Sequence, residues 1–408
     1  MRLLCISNGH GEDVIARRIL DAVAREQPTL ELATLALVGE GHALEGLAAS
    51  AIGPQRSLPS GGFIYMDPRQ LLRDLGGGLL QLTWGQWQAM RRWSRQGGLV
   101  LAVGDIVPLL FAWGSGLPYC FVPTAKSDYY WRDEQGPLPD PRPRALIWQR
   151  WQQSIFDPWD RWLMRNRRCR AVFPRDGLTA RLLQGFGAPV QDLGNPMMDG
   201  LNPPLPDLVT ALGDASPRVL LLPGSRPPEC WGNWERLLAG LRTLQSRWPR
   251  LQALAAIAPS LPLAPLEQVL LAEGWSAAAP THPDLLTFTR EQARLQIGRR
   301  SFGPFLHLAD LALATAGTAT EQTVGLGCPV ISFPGPGPQF TAGFAEAQTR
   351  LLGATVTPAP TDASELLTLA ASLLEEPARR AAIAALGLQR MGTPGAAARI
   401  ARTVLAQG

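Results

Sequence analysis

Two segments in the second half of the chain, LLPGSRPPE (221–229) and ADLALATAGTATEQTVGLGCP (309–329), each pass from an apolar run of strand length through a small-residue turn into a helical pattern. A strand that feeds a helix through so short a turn belongs to a parallel βαβ unit. The arrangement also sets backbone N–H groups and the positive end of a helix dipole at one point, where phosphates can be held. Both segments therefore predict an α/β fold whose C-terminal half binds a phosphorylated small molecule.

In the first turn, Gly224 and Ser225 precede Arg226, whose planar fork can bind phosphate oxygens bidentately while the serine hydroxyl adds a donor. Pro227 and Pro228 suit the first turn of the following helix. The second turn is made by Gly317, Thr318, Ala319 and Thr320, with Glu321 and Gln322 in the first helical turn, placed to accept from ribose or base hydroxyls. The same residues also suit an ordinary glycine turn with a capping threonine and an acidic first turn.

Strand-length apolar runs alternate with helical patterns along the whole chain. Candidate strands are 3–7, 34–38, 99–103, 119–122 and 171–173 in the first half, and 219–222, 253–258, 311–315 and 330–333 in the second. At 408 residues the chain exceeds the size of a single core, so two domains are expected. The segment 195–217, rich in Pro, Gly and Asp, separates them. The boundaries read as a first domain over 1–195, a linker over 196–217, a second domain over 218–390, and a last helix in 391–408.

A net charge of +4 is mild for this length and requires neither nucleic acid nor membrane as partner. Lys126 is the sole lysine among 38 basic residues, a bias that suggests genome composition before it suggests a ligand. The five cysteines are scattered without a C-x-x-C pair, which argues for a reducing compartment and against a zinc site. The first strand begins within two residues of Met1, leaving no room for a secretory leader, and no apolar run is long enough to span a bilayer. A cytoplasmic protein is expected, with no cofactor.

The first half supplies the candidate proton-transfer groups. In SNGHGED, Asn8, Gly9 and Gly11 allow close approach, but Glu12 and Asp13 bring negative charge where a phosphate would need positive charge. The loop is read as a sugar or hydroxyl site, with His10 as general base or as donor to a departing phosphate. Helix-dipole complementation by Glu12 and Asp13 is the plainer account of the same residues. Asp105 follows a strand and Gly104, and suits either a catalytic base or the cap of the next helix. PTAKSDYYW adds Lys126, read as a phosphate or carboxylate ligand, and Asp128 beside aromatics that suit a sugar. PGPGPQF contributes Gln339, and Gln348 lies further on; both are placed to reach a nucleotide sugar.

The chain has 13 tryptophans, concentrated in 79–93 and 147–170. Trp148, Trp151, Ile155, Trp159 and Trp162 follow helical spacing among arginines, although Pro158 interrupts the pattern. Such a stripe fits either a core or a helix lying in a lipid headgroup layer.

LPGSR with a nearby Glu, then ADxxLxxxGTAT and a helix ending in GCP, together resemble lipid-A-disaccharide synthase. The likeness is greater to the lipid-A-disaccharide synthase-related proteins of cyanobacteria and plants. It extends to SNGHGED, AVGDIVP (102–108) and GNPMMD (194–199), and so covers most of the chain. The resemblance implies two doubly wound Rossmann-like domains facing across a cleft, the GT-B architecture, with the last helix packing back on the first domain. It implies an inverting transferase that moves a sugar from a nucleotide-sugar, a UDP-hexosamine or UDP-hexose, to a hydroxyl of a lipid-linked or amphipathic acceptor at the cytoplasmic membrane surface. Asp105 would inherit the role of catalytic base. The absence of any D-x-D pair removes the usual metal-held diphosphate site of the other major transferase fold, so a metal-independent mechanism is expected.

One position departs from the pattern. In the lipid A enzyme and the peptidoglycan N-acetylglucosaminyltransferase, the acidic residue of this helix lies five positions before the Gly of the G-x-P turn. Here that position is Gln322, with Glu321 one step earlier. One residue turns a helical side chain by about 100°, so Glu321 need not inherit the nucleotide contact. A nucleotide-sugar epimerase and a non-catalytic membrane-surface scaffold are the alternative readings.

Overall fold

The structure, a computed structural model, describes residues 1–9, 11–39, 41–56, 78–139, 153–214, 217–335 and 340–408. The chain divides into two compact units. Unit 1 comprises Met1–Asp199 with Thr393–Gly408, and unit 2 comprises Gly200–Gly392.

Unit 1 runs β1 (Arg2–Ser7), α1 (Gly11–Glu26), β2 (Glu31–Ala36), β3 (Ala49–Ala51), α2 (Leu79–Ser94), β4 (Leu99–Gly104), α3 (Ile106–Gly114), β5 (Tyr119–Pro123), α4 (Pro158–Met164), β6 (Cys169–Val172) and α5 (Gly177–Gly185). The strands form one parallel sheet in the order β3-β2-β1-β4-β5-β6. Strands covered on both faces need continuous apolar runs rather than alternation, and LLCIS in β1 and LVLAVG in β4 are buried throughout. In α1, Ile15, Ile19 and Val23 recur every fourth position on the buried face, while Glu12 and Asp13 at the start and Arg25 at the end complement the dipole.

Unit 2 begins with α6 (Pro206–Leu212), a helix inside the segment expected to be linker. It continues β7 (Arg218–Leu222), α7 (Glu229–Gln245), β8 (Gln252–Ala256), α8 (Ala264–Ala272), β9 (Ser276–Ala278), β10 (Leu285–Arg290), β11 (Ala293–Gly298), α9 (Phe302–Leu308) and β12 (Leu311–Ala314). Then follow α10 (Thr318–Gly325), β13 (Val330–Ser332), α11 (Ala342–Leu352), β14 (Val356–Pro358), α12 (Ala363–Glu375) and α13 (Pro377–Met391). The sheet order is β14-β13-β12-β7-β8-β11-β10-β9. Its β10–β11 and β10–β9 pairs are antiparallel, a hairpin edge that the expected all-parallel sheet did not include.

After unit 2 the chain returns to unit 1 as α14 (Ala396–Leu405). Ala397, Ile400, Ala401 and Val404 enter the same core as Ile15, Ile19 and Val23 of α1. Asp199 accepts from the backbone N–H groups of Gly395 and Ala397, the latter at 2.6 Å, and so caps the helix.

Candidate functional site

In a doubly wound sheet a ligand lies beyond the carboxyl ends of the strands, where the strand order reverses. In unit 1 that point falls between β1 and β4, and in unit 2 between β7 and β12. The sequence-derived candidates cluster at both.

The β7 and β12 ends are held in register by the parallel pairing Leu222↔Ala314. Thr315 extends it by donating its N–H (3.0 Å) and its hydroxyl (3.1 Å) to the carbonyl of Leu222. The two turns therefore open side by side. Gly224 has φ +90°, a left-handed conformation that glycine adopts without strain, and it leads to Ser225 and Arg226, both exposed. Pro227 and Pro228 lie before α7 rather than within its first turn, Pro228 serving as its N-cap. Glu229 is turned toward the loop after β13, accepting from the N–H of Phe340 at 2.9 Å.

In the second turn Gly317 is the N-cap of α10, and Thr318 is exposed beside half-buried Gly317 and Ala319. Thr320 is fully buried and donates to the carbonyl of Ala316 at 2.6 Å, so its hydroxyl braces the turn rather than facing a ligand. Glu321 and Gln322 are both buried, at 8% and 5% exposure, so burial does not single out one of them as the nucleotide contact. Gln348, expected to reach a sugar, instead clamps the turn. Its Nε2 donates to the carbonyls of Ala316 (3.3 Å) and Gly317 (3.1 Å) from α11. Two carbonyls at one end fix the amide orientation, because only the NH2 end can face them. Gln339 lies outside the described residues.

At the unit 1 switch point, Gly9 is required by contact. A Cβ there would stand 2.4 Å from the carbonyl oxygen of Val38, at a φ of +104°. The chain passes from Asn8 to Gly11, where α1 begins, and the N–H of Glu12 returns to the carbonyl of Gly9 at 3.1 Å. His10 lies outside the described residues. Asp13 is buried and accepts from the Ser7 hydroxyl, a structural role.

Asp105 caps α3, its Oδ1 accepting from the N–H of Val107 at 2.8 Å. Burial raises its carboxyl above the ordinary range; hydrogen bonds from Val107 and Asn8 and the charge of Lys126 oppose the shift. Glu12 is raised as well, first by burial and further by the charge of Asp105, while the Thr124 hydroxyl donates to it at 3.3 Å. Two half-buried carboxyls thus stand at the ends of β1 and β4, with Glu12 in the field of Asp105.

Two expectations in this region are corrected. Lys126 is bound within the chain, to Asp157 at 3.2 Å and Asp160 at 2.5 Å, so its carboxylate partners are the protein's own. Asp128 is fully buried and faces no sugar. Its carboxylate accepts from the Ile155 N–H (2.8 Å) and the Ser154 hydroxyl (3.1 Å), its own N–H donates to Thr179, and burial pushes its pKa up to about 7. Pro158 opens α4 instead of interrupting a longer helix, and Trp148 and Trp151 lie outside the described residues.

No protein-family model matches the sequence, and no curated protein matches it. Solved structures match over nearly the whole chain. A UDP-GlcNAc 2-epimerase from Neisseria meningitidis, solved bound to UDP-GlcNAc, has a TM-score of 0.56 at 15% identity, covering 100% of both chains. CalG4, the calicheamicin glycosyltransferase, has a TM-score of 0.60 at 14% identity, covering 99% of this chain and 97% of its own. A ugt transferase from Siraitia grosvenorii in complex with UDP has a TM-score of 0.55 at 13% identity, covering 99% of each. At such identities the likeness concerns fold: two Rossmann-like α/β units of the GT-B type.

Proposed function

We propose that this chain transfers a sugar from a nucleotide-sugar, a UDP-hexosamine or UDP-hexose, to a hydroxyl of a lipid-linked or amphipathic acceptor, with inversion at the anomeric carbon. The observation that carries the reading is the pair of adjacent turns at the β7/β12 switch point, which open α7 and α10 next to exposed Arg226. Helix N-termini and a guanidinium suit a diphosphate. The neighbours solved with UDP or UDP-GlcNAc support a uridine donor. In this reading the acceptor oxygen forms a bond to the anomeric carbon as the bond to the diphosphate breaks. Asp105 takes the hydroxyl proton, its raised pKa making it a better base than an ordinary carboxylate. Arg226 and the N–H groups at Gly317 and Thr318 meet the charge that develops on the diphosphate. Among the described residues no helix is long and apolar enough to cross a membrane.

Isothermal titration with UDP and a panel of nucleoside diphosphates, repeated with Arg226→Ala, tests the donor site. Micromolar UDP binding lost in the variant supports it. No nucleotide binding rejects the transferase and leaves a non-catalytic scaffold.

A second reading, a nucleotide-sugar epimerase, is favoured by the carboxyls of Glu12 and Asp105, both raised by burial and Glu12 further by the charge of Asp105, which suit proton exchange at a sugar carbon. Incubation with UDP-GlcNAc and no acceptor separates the two. Inversion at a ring carbon, or release of free sugar and nucleotide, favours the epimerase.

A further inference from the structure

Unit 1 carries large apolar side chains that its own core does not use. Trp84 is 64% exposed, Leu80 70%, Trp159 56%, Trp162 58% and Leu110 42%. They belong to one face. On α2, Leu80, Trp84, Trp87 and Arg91 fall at i, i+4, i+7 and i+11, a single helical stripe. Trp87 packs on α3, 5.3 Å from the ring of Phe111, and leaves no space for a side chain at Gly114. On the other side of α3, Trp113 meets Trp162 of α4 at 5.6 Å. The exposed groups of all three helices thus adjoin through Trp87 and Trp113. Apolar surface of this kind is seldom left to water without a partner.

Charge identifies the partner. Three arginines occupy 91–95 and five occupy 161–170, while the only carboxylate on α2, α3 or α4 is Asp160, already bound to Lys126. Among the described residues Arg91, Arg165, Arg167 and Arg168 make no ion pair. Arg91 donates to the carbonyls of Gly114 and Ser115 at 3.0 and 3.3 Å, and Arg168 lies 5.9 Å from the Trp113 ring, so both heads stay beside the apolar face. Next to Trp162, Arg161, Arg165, Asn166 and Phe186 line an open hollow of about 550 Å³. Aromatic and leucine side chains ringed by arginines match an anionic bilayer, with rings at the headgroup level and guanidiniums on lipid phosphates.

We propose that the α2–α3–α4 face of unit 1 is an interfacial binding surface for anionic lipid bilayers, with Trp84, Trp159 and Trp162 entering the headgroup layer. The inference extends the reading of a lipid-linked acceptor, yet it rests on surface residues remote in sequence from the nucleotide turns. Its test is therefore separate from UDP titration.

The full chain is sedimented with vesicles of phosphatidylcholine alone and of phosphatidylcholine with phosphatidylglycerol, at low and at physiological salt. Selective, salt-weakened partition into the anionic vesicles is expected, with a blue shift of tryptophan emission. Arg165→Glu/Arg167→Glu should reduce that partition by about tenfold or more, and Trp84→Ser/Trp159→Ser should remove the blue shift. The altered positions are exposed, so UDP titration and the thermal midpoint should stay unchanged and report intact folding. Equal partition into both vesicles, no partition by a protein whose thermal midpoint shows it folded, or self-association abolished by the tryptophan variant would each overturn the proposal.

Discussion

At the switch point of unit 1 the ends of β1 and β4 carry Glu12 and Asp105, two half-buried carboxyls raised by burial. At the switch point of unit 2 the ends of β7 and β12 carry Ser225, Arg226 and Thr318, all exposed, with glycine backbones beside them. The first arrangement disfavours added negative charge and suits a neutral hydroxyl that must lose a proton. The second offers N–H groups and a cation to an anion. In the proposed transferase, similar sheet topology with contrasting chemistry at its edge would divide acceptor activation from donor binding between the two units.

The division can be broken most forcefully at Asp105. Asparagine caps a helix about as well as aspartate, so Asp105→Asn should fold normally and bind UDP as before. Its transfer rate should drop by about 10²–10⁴. An unchanged rate with UDP-sugar and acceptor would take the base role away from unit 1.

Asp128 sharpens the contrast from the stability side. Burial pushes its carboxyl up to about 7 in the fold, against 3.8 for an ordinary aspartate. Between those values the native state holds a proton that the unfolded chain has released. Stability is therefore greatest at the acid end of this interval and declines as pH rises toward 7, by a total on the order of 4 kcal/mol. Asp128→Asn should flatten that dependence in urea titrations across the interval, leaving nucleotide affinity as it was. A wild-type stability that rises with pH there, with no change in slope on substitution, would contradict the assignment.

Smaller effects are expected in unit 2. Arg226→Ala removes an exposed cation, so the thermal midpoint should hold while UDP affinity falls roughly 10- to 100-fold, the worth of one or two charge-assisted hydrogen bonds. Gln348→Leu deletes the clamp on Ala316 and Gly317. It should cost about 1–2 kcal/mol of stability and weaken UDP binding less than Arg226→Ala does. A Gln348→Leu protein with unchanged affinity would show that the turn holds its shape without the clamp.

The βαβ pattern and both glycine turns were legible because each is local: apolar run, small residues, helical period. The β10–β11 hairpin was missed, and the burial of Leu285–Arg290 does not alternate cleanly, Thr287 and Phe288 both being buried. Its turn is made by Glu291, at φ 54°, and Gln292, without the glycine or asparagine that normally marks such a turn. Asp128, Lys126 and Gln348 were misread for a different reason. Their partners stand 26, 34 and 31 residues away in sequence, and residue type alone cannot tell a ligand-facing polar group from one satisfied by a distant backbone or carboxylate.

The return of α14 to unit 1 makes unit 2 a guest inserted into its host, the two chain crossings being pinned together where Asp199 caps that helix. On the ribosome this reverses the customary order. The inserted unit has its whole sequence available while the host still lacks Ile400, Ala401 and Val404, three fully buried pieces of its core. Unit 1 therefore stays incomplete until α14 is made, and removal of α14 should injure the half encoded first.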